Sequence, residues 1–311
     1  MRIINFVLLT VVMIVVGLIG FVYLAPETAV SVALNADRYR SGLARKEIVL
    51  PDGLHYVYLE GGQGEPLMLL HGFGGDKDNF TRVARFLTPH YHVIIPDHIG
   101  FGESSHPPQA DYAPPAQVER LRALAQALGI KTLHLGGNSM GGQIAMTYAT
   151  LYPAEVSSLW LLDPAGVWSA PESEVFKIIA QTGHNPMMAR SVDEFEKIIA
   201  FGMSEPPFIP HPMLAVLAQA RIKNFALEER IFKHIATYSV EERITGLAIP
   251  TLIVFGDQDR AIPVATAEIL HKLLPRSQVV IMPGIGHVPM LERPQQSADD
   301  YLRFRATVGT K

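Results

Sequence analysis

The stretch Gly137-Asn138-Ser139-Met140-Gly141 decides the fold of this chain. The stretch 132–135 before it predicts a short buried strand, and Ile144, Tyr148 and Leu151 after it recur at helical spacing. A strand that passes directly into a helix through G-x-S-x-G presents the serine at a sharp turn, where the flanking glycines leave room for the crossing backbone. The pattern predicts a nucleophilic serine at position 139, with a glycine-rich loop capped by serine as the alternative.

The composition excludes several classes of function. The 311-residue chain has a net charge of −4 and 18% charged residues, so it lacks the basic surface that nucleic-acid binding requires. It contains no cysteine, which excludes disulfides, thiolate catalysis and zinc sites with cysteine ligands. The pair His90 and His92 has no obvious carboxylate partner in the sequence. We therefore predict no nucleic-acid partner, no metal and no cofactor.

Residues 3–25 form an uncharged apolar segment that is long enough to span a bilayer as a helix. Arg2 precedes it, and Tyr23 lies where an interfacial aromatic residue is expected. The competing interpretation is a signal peptide, but its apolar region usually has about 7–15 residues and ends at a small-x-small cleavage site, which fits this segment poorly. We predict an uncleaved, single-pass membrane anchor in residues 1–25.

The basic residues after this segment indicate on which side of the membrane the catalytic domain lies. Residues 26–45 are interpreted as a tether with some helical character, and the basic residues Arg38, Arg40, Arg45 and Lys46 follow the span. An excess of Lys and Arg beside a span is typical of the cytoplasmic side. The pattern favours a cytoplasmic catalytic domain, although residues 26–37 contain no Lys or Arg.

Residues 46–311 alternate apolar runs with amphipathic helical patterns and are predicted to form one domain. Pro66–Leu70 is a continuous apolar run typical of a strand covered on both faces, and a helical stripe begins at Pro114 and stops at Gly129. Short connections between such units predict an α/β fold with a mostly parallel eight-stranded sheet and helices on both faces. The strands are predicted near residues 47–50, 54–59, 66–70, 92–96, 132–135, 156–162, 250–256 and 278–282.

The alternation stops between about residues 165 and 245. This region has helical patterns and proline clusters but no good strand, so we predict a helical cap inserted over the sheet. Its apolar residues are candidates to line a substrate cavity, although packing against the sheet is the commoner role of such side chains. The candidates are Phe176, Ile178, Ile179, Phe201, Met203, Phe208, Ile209 and Met213.

A nucleophilic serine needs a base, and the base needs an orienting acid. His287 follows the last predicted strand in a glycine-containing loop, where the carboxyl ends of parallel strands place functional side chains. Three aspartates follow strands. Asp259 extends beyond its strand and is the predicted acid, Asp163 follows the strand next to that of the serine and stays an alternative, and Asp257 fits a turn residue better.

The tetrahedral intermediate of acyl transfer needs two N–H donors. One is predicted to be the backbone N–H of Met140, the residue after the serine. The other is predicted to be that of Phe73, because the glycines around it let the backbone point inward. His71 is expected to brace this loop rather than to take part in the chemistry.

Together these motifs resemble the α/β-hydrolase superfamily over nearly the whole chain after the anchor. The segments 139–143, 152–159, 163–166 and 287–294, with the anchor, resemble the membrane-anchored monoacylglycerol lipase group and Moraxella-type bacterial lipases. This resemblance implies a serine esterase that cleaves lipophilic esters, such as monoacylglycerols, through an acyl-enzyme. It also implies Ser139 as nucleophile, Asp259 as acid, His287 as base, and Phe73 and Met140 as oxyanion donors.

Other members of the superfamily provide the alternatives. Asn138 departs from the lipase pattern and also fits meta-cleavage C–C bond hydrolases, which are usually soluble and carry an aromatic-rich stretch that this chain lacks. An esterase for small esters is a further alternative. Serine at position 139 excludes branches that use aspartate there, such as haloalkane dehalogenases and epoxide hydrolases. A non-catalytic binding protein is disfavoured because all three triad positions are filled. Nothing in the sequence specifies an oligomeric state.

Overall fold

One eight-stranded sheet organises the computed structural model, which describes residues 2–309. Its strands are β1 Leu43–Val49, β2 His55–Gly61, β3 Glu65–Leu70, β4 Tyr91–Pro96, β5 Leu133–Asn138, β6 Val156–Leu162, β7 Thr251–Gly256 and β8 Ser277–Met282. Their order across the sheet is β1-β2-β4-β3-β5-β6-β7-β8. The strands lie where the apolar runs predicted them, so the α/β fold is confirmed.

The direction of the strands places the loops that follow the parallel strands at one edge of the sheet. Strand β2 is antiparallel to both of its neighbours, β1 and β4, and forms the predicted hairpin with β1. All other neighbouring pairs are parallel. Parallel strands end at the same edge of a sheet. The loops after β3, β5, β6, β7 and β8 therefore meet there.

Helices cover both faces of the sheet and the edge where those loops meet. The 3-10 turns 77–80 and 153–155 complete the regular elements of residues 2–309. The helices are α1 Arg2–Leu24, α2 Pro26–Arg40, α3 Thr81–Ala84, α4 Pro114–Ala127, α5 Met140–Leu151, α6 Glu174–Thr182, α7 Val192–Gly202, α8 His211–Lys223, α9 Phe225–Ala236, α10 Glu241–Ile244, α11 Thr266–Leu273, α12 Pro289–Glu292 and α13 Pro294–Val308.

The core has one apolar cluster on each face of the sheet. On one face, Ile144 and Tyr148 of α5 are fully buried as their spacing predicted, whereas Leu151 is 41% exposed. On the other face, Tyr301 of α13 stacks on Trp160 of β6 with ring centroids 4.7 Å apart. Every residue of β5 and β7 is buried, as expected of strands covered on both sides. These strands form a rigid support for the loops at their ends.

Residues 163–250 connect β6 to β7 with five helices, α6 to α10, and no strand. The break in alternation that predicted a cap at about residues 165–245 falls in this segment. Gln143 of α5 donates to the carbonyls of Ile235 and Tyr238 at 3.0 and 2.7 Å, which joins this helical segment to the helix behind Ser139. The segment therefore covers the edge where the strand ends meet.

Helix α1 is long and apolar enough to cross a membrane. The window Asn5–Leu24 has a mean hydropathy of 2.8, and none of it is buried. Phe6 and Leu18 are 71% and 60% exposed. A signal sequence has a similar composition, so length and apolarity alone do not distinguish the two.

Residues 26–45, interpreted from the sequence as a tether, form α2 and the start of β1. Ala29 and Val30 are buried, and Arg38 donates to both carboxylate oxygens of Asp78 at 2.7 and 2.6 Å. The partner of Arg38 is 40 positions away in the sequence, so local patterns did not reveal the contact. The segment therefore forms a helix docked on the domain, as its expected helical character suggested, and its role as a tether stays a prediction.

Candidate active site

Ser139 lies at the turn between β5 and α5. Its backbone has φ 54° and ψ −119°, a left-handed conformation that costs a residue with a side chain about 1–3 kcal/mol. The adjacent chains pass very close: a Cβ on Gly141 would lie 2.0 Å from the carbonyl oxygen of Leu70, and one on Gly137 would lie 2.3 Å from the backbone of Gly141. The predicted strand–serine–helix turn is present, and it requires these glycines.

His287 and Asp259 are hydrogen-bonded. His287 Nδ1 lies 2.7 Å from Asp259 Oδ2, and the two side chains are only 4% and 0% exposed. The other oxygen of Asp259 accepts the N–H groups of Ala261 and Ile262 at 2.7 and 3.0 Å, which fixes the carboxylate. When Nδ1–H donates to this carboxylate, the second ring nitrogen of His287 is left to accept a proton.

The contacts separate the three aspartates that followed strands in the sequence. Asp257 is exposed, and its carboxylate accepts the N–H of Gly284 at 2.7 Å, as suits a turn residue. Asp163 is fully buried, and its Oδ1 accepts the N–H of Gly256 at 2.9 Å. Only Asp259 among them is bonded to His287 in residues 2–309.

Asp163 lies close to this pair without joining it. One carboxylate oxygen each of Asp163 and Asp259 and one ring nitrogen of His287 lie within 4.8 Å of one another. Burial and then the charge of Asp259 raise the pKa of Asp163 well above its ordinary value. Both effects favour the protonated, uncharged form of Asp163 beside the carboxylate of Asp259. This spacing also suits a metal ion, but both Asp259 oxygens already accept N–H bonds, so we interpret the group as hydrogen-bonded.

Asn138 holds the backbone of His287 in place. Its Nδ2 donates to the carbonyl of His287 at 2.8 Å and to that of Leu162 at 3.1 Å. On the other side, the N–H of His287 donates to the carbonyl of Gly202 in α7 at 2.8 Å. The sequence singled out Asn138 only as a departure from the lipase pattern. Its contact with His287 was missed because the two residues are 149 positions apart.

The loop 72–75 crosses directly beside Ser139. A Cβ on Gly72 would lie 3.2 Å from the Cβ of Ser139. Within the described residues, no backbone carbonyl accepts a hydrogen bond from the N–H of Phe73 or Met140. Both residues line the same cavity as Ser139 and His287. Two N–H groups without a backbone partner beside a serine are what an oxyanion hole requires.

Two other histidines named from the sequence have structural contacts. His71 Nε2 accepts the N–H of His98 at 3.0 Å, and its Nδ1 lies 2.8 Å from the carbonyl of Gly72. Burial lowers the pKa of His71 to about 4, so the ring is neutral and braces the loop. His92 lies 2.6 Å from Glu60 of the adjacent strand β2. The expectation that His92 lacks a carboxylate partner is therefore wrong, because the partner comes from another strand.

Ser139 and His287 line two apolar cavities under the cap. The first has a volume of about 60 Å³ and the second about 180 Å³. A third, of about 310 Å³, shares lining residues with the second and reaches α2. The first is lined mainly by Phe73, Met140, Trp168, Val175, Phe176, Met187, Phe232, Ile235 and Ile262. The second is lined mainly by Phe195, Ile198, Ile199, Met203, Val288 and Leu291 together with loop 72–75.

The apolar cap residues named from the sequence have different roles. Phe176 lines the first cavity and Met203 the second. Phe201 packs against Arg260, with the guanidinium carbon 4.4 Å from the ring centroid, and Phe208 is 91% exposed. Ile179 and Ile209 line other cavities, Ile178 packs in a small apolar cluster, and Met213 is half-buried. The lining residues missed from the sequence include Phe195, Phe232 and Ile235, whose helical spacing does not reveal how the cap helices cross, and Trp168 and Met187, which lie between helices and follow no period.

Known proteins are similar to this chain over most of its length. The family model described as alpha/beta hydrolase fold matches residues 65–294. Lipase 3 of Moraxella sp. (strain TA144) is 47% identical to the chain, covering 88% of each sequence. The monoacylglycerol lipase ABHD6 of Rattus norvegicus is 29% identical, covering 79% of this chain and 77% of its own.

A solved structure is similar over almost its entire length. It is described as a membrane phospholipase A, a novel bacterial virulence factor, and is 38% identical with a TM-score of 0.88, covering 99% of both chains. The predicted resemblance to monoacylglycerol lipases and Moraxella-type lipases is confirmed. The family model covers well over half of the sequence. The chain therefore belongs to the α/β-hydrolase fold family, as a carboxylic ester hydrolase.

Proposed function

We propose that the protein hydrolyses esters of lipophilic substrates through an acyl-enzyme on Ser139. The observation that carries this proposal is the meeting of three features in one apolar cavity. They are a serine on a strained turn at a helix start, the buried His287–Asp259 pair, and two backbone N–H groups without a backbone partner. This combination supplies the nucleophile, the base with its orienting acid, and the oxyanion donors that acyl transfer needs.

In the first step, His287 acts as the general base. Its Nε2 takes the hydroxyl proton of Ser139 as Oγ attacks the ester carbonyl carbon. Asp259 holds the ring in the required tautomer and stabilises the imidazolium that forms. The second oxygen of the Asp259 carboxylate accepts the N–H groups of Ala261 and Ile262, which keeps the carboxylate in the orientation that holds the His287 ring.

The carbonyl oxygen of the substrate becomes negatively charged in the tetrahedral intermediate. The N–H groups of Phe73 and Met140 are the donors for this charge, helped by the positive end of the α5 dipole. The intermediate collapses when His287 returns its proton to the alcohol oxygen, which leaves with the C–O bond broken. His287 then takes a proton from water as the water oxygen attacks the acyl carbon. The bond between Oγ and that carbon breaks as His287 returns the proton to Ser139, and the carboxylic acid leaves.

The cavities support a lipophilic acyl chain. The first cavity is lined mainly by aromatic and aliphatic residues, among them Phe176 and Phe232, so we assign the acyl chain to it. Relatives named as a monoacylglycerol lipase and a membrane phospholipase A make glycerol-based lipid esters the preferred class. Monoacylglycerols are the first members of this class to test.

Helix α1 fits this substrate class as a membrane anchor. Its exposed apolar surface would be unfavourable in water and favourable in a bilayer. Helix α2 follows directly and is docked on the domain through Arg38 and Asp78. An anchor continuous with a docked helix holds the active site near the bilayer, where lipid esters partition. Which side of the membrane the domain faces stays a prediction, with the Lys and Arg pattern favouring the cytoplasm.

The alternative of C–C bond hydrolysis rests on Asn138. Both hydrogens of its amide are donated to backbone carbonyls, those of Leu162 and His287, so they are occupied by the fold itself. This role accounts for Asn138 without a different reaction. An esterase for small esters stays the other alternative, and acyl-chain preference separates it from a lipase.

The first prediction compares the two buried aspartates. Asp259→Asn should lower kcat by about three to four orders of magnitude, because the amide no longer holds the correct tautomer of His287. Asp163→Asn is the matched control, because an amide has nearly the shape of a carboxyl group and the bond to His287 comes from Asp259, so kcat should stay within about threefold of wild type. Steady-state kinetics on one chromogenic ester measures both. A larger loss in the Asp163 variant would make Asp163 the orienting acid.

The Asp163→Asn variant should also differ from wild type in how its stability depends on pH. Since the pKa of Asp163 is raised by folding, the native state binds a proton that the unfolded state releases as pH rises above the ordinary carboxyl range. Wild-type stability therefore decreases with pH through this window, whereas the Asp163→Asn variant lacks the effect. Denaturant unfolding from pH 5 to 9 should show the free energy of unfolding of the variant rising relative to wild type.

The second prediction concerns acyl length. Burial of one methylene contributes about 0.8 kcal/mol, so each carbon added to an ester should raise kcat/KM about fourfold until the cavity is filled. Esters from acetate to palmitate with one leaving group give this profile, with Ser139→Ala as the background. A steady fall from acetate onward would establish a small-ester esterase.

Matched cavity variants assign the acyl chain. Ile235→Phe narrows the first cavity and Ile199→Phe narrows the second. We expect the Ile235 variant to shift the optimum to shorter esters and the Ile199 variant to leave it unchanged. The opposite pattern would place the acyl chain in the second cavity.

The third prediction concerns the membrane. Full-length protein should stay in the membrane fraction after carbonate washing, because α1 is held by the hydrocarbon interior. A chain that begins at Pro26 keeps α2 and should be soluble and active on a short chromogenic ester. Release of the full-length protein by carbonate would contradict the anchor, and a mature N-terminus near residue 25 would identify a signal sequence.

A further inference from the structure

Arg221 of α8 is a buried arginine between the cap and the loop that carries Phe73. The residue is 7% exposed. Its Nε donates to both carboxylate oxygens of Glu228 at 2.8 Å. Nη1 donates to the carbonyl of Gly74 at 3.0 Å, and Nη2 donates to that of Met187 at 2.6 Å. One side chain therefore joins α9, the segment before α7 and the loop 72–75.

The loop is shaped around this guanidinium. Gly74 has φ 68°, and a Cβ there would lie 2.1 Å from Cζ of Arg221, so only glycine fits. Cζ also lies 5.6 Å from the ring centroid of Phe73. The same ring makes edge contacts with Phe101 and Phe232, with centroids 5.8 and 5.5 Å apart. The ring of Phe73 and the carbonyl of Gly74 are thus both held.

We propose that Arg221 is a positioning residue for the oxyanion hole and acts through Gly74 without touching the reacting atoms. This inference rests on the proposed function, in which the N–H of Phe73 stabilises the oxyanion. That N–H and the carbonyl of Gly74 are two peptide groups apart. Fixing the carbonyl therefore limits rotation of the loop that aims the N–H, which is how a preorganised donor gains its effect.

The charge balance of Arg221 favours this role over binding a substrate anion. Glu228 neutralises the guanidinium and is itself buried. A buried ion pair is weak evidence for stability, because removing two charges from water offsets much of their attraction. Two of the four remaining N–H groups donate to the backbone carbonyls of Gly74 and Met187, so we infer that the pair fixes the positions of these two segments. Arg221 belongs to the cap and Gly74 to the loop after β3, 147 positions away. In this proposal the oxyanion hole is therefore complete only when the cap is packed against that loop.

The main test is Arg221→Lys, which keeps a positive charge beside Glu228 but lacks the planar fork that reaches three partners. With a p-nitrophenyl ester, which has no polar head group, kcat should fall about 10- to 100-fold. KM should change by about twofold or less. Affinity for a trifluoromethyl ketone, which forms a tetrahedral oxyanion adduct, should weaken by the same factor as kcat/KM.

Two further variants separate positioning from folding. Glu228→Gln keeps the guanidinium and its bond to Gly74, so it should lower the melting temperature while kcat stays within about threefold. If Arg221→Lys does not fold, the double variant Arg221→Gln/Glu228→Gln is used in its place. It removes both charges, so no unpaired charge stays buried. The double variant should show the same loss of kcat and of ketone affinity.

Three outcomes overturn the inference. One is an unchanged kcat/KM in a folded Arg221→Lys variant, and another is an equal loss of affinity for substrate and ketone. The third is a rise in KM confined to esters with anionic head groups, which would mean that Arg221 contacts the substrate. Failure of the proposed function is seen separately, in wild-type protein that neither hydrolyses esters nor reacts with a fluorophosphonate.

Discussion

The left-handed backbone of Ser139 is the constraint on which the rest of the structure depends. It is possible only because β5 ends where the loop after β3 passes within contact distance, with glycine at positions 137 and 141. The buried central strands hold this crossing rigidly. The same crossing brings Phe73 beside the serine, so the strained turn of Ser139 and the position of Phe73 are consequences of one packing arrangement. The packing of the sheet thus accounts for the positions of both residues.

The cap supplies further hydrogen bonds to the residues around Ser139. His287 is held by Asn138 from the sheet and by Gly202 from the cap, and the loop of Phe73 is held by Arg221 from the cap. The cap also supplies most of the apolar cavity walls. A single insertion therefore covers the cavities beside Ser139 and contacts both the His287 backbone and the loop of Phe73.

Local patterns predicted the sheet, the serine turn and the loop of His287, because strand ends in a parallel sheet converge whatever the details of packing. The preference for Asp259 over Asp163 followed from its position beyond the strand end. Contacts between distant positions were not predictable. The bond of Asn138 to His287 and the docking of α2 depend on side chains that meet only after the fold has formed. Likewise, which cap residues face the cavity depends on helix crossings that periodicity does not encode.

The most direct test of the central claim is to trap the covalent intermediate. Acid quenching within the first turnover of a p-nitrophenyl ester, followed by peptide mass spectrometry, locates the acyl group. The account predicts a burst of nitrophenol approaching one equivalent and an acyl adduct on the peptide that contains Ser139, both absent in Ser139→Ala. Rapid turnover with no adduct, or an adduct on another residue that persists in Ser139→Ala, would contradict it.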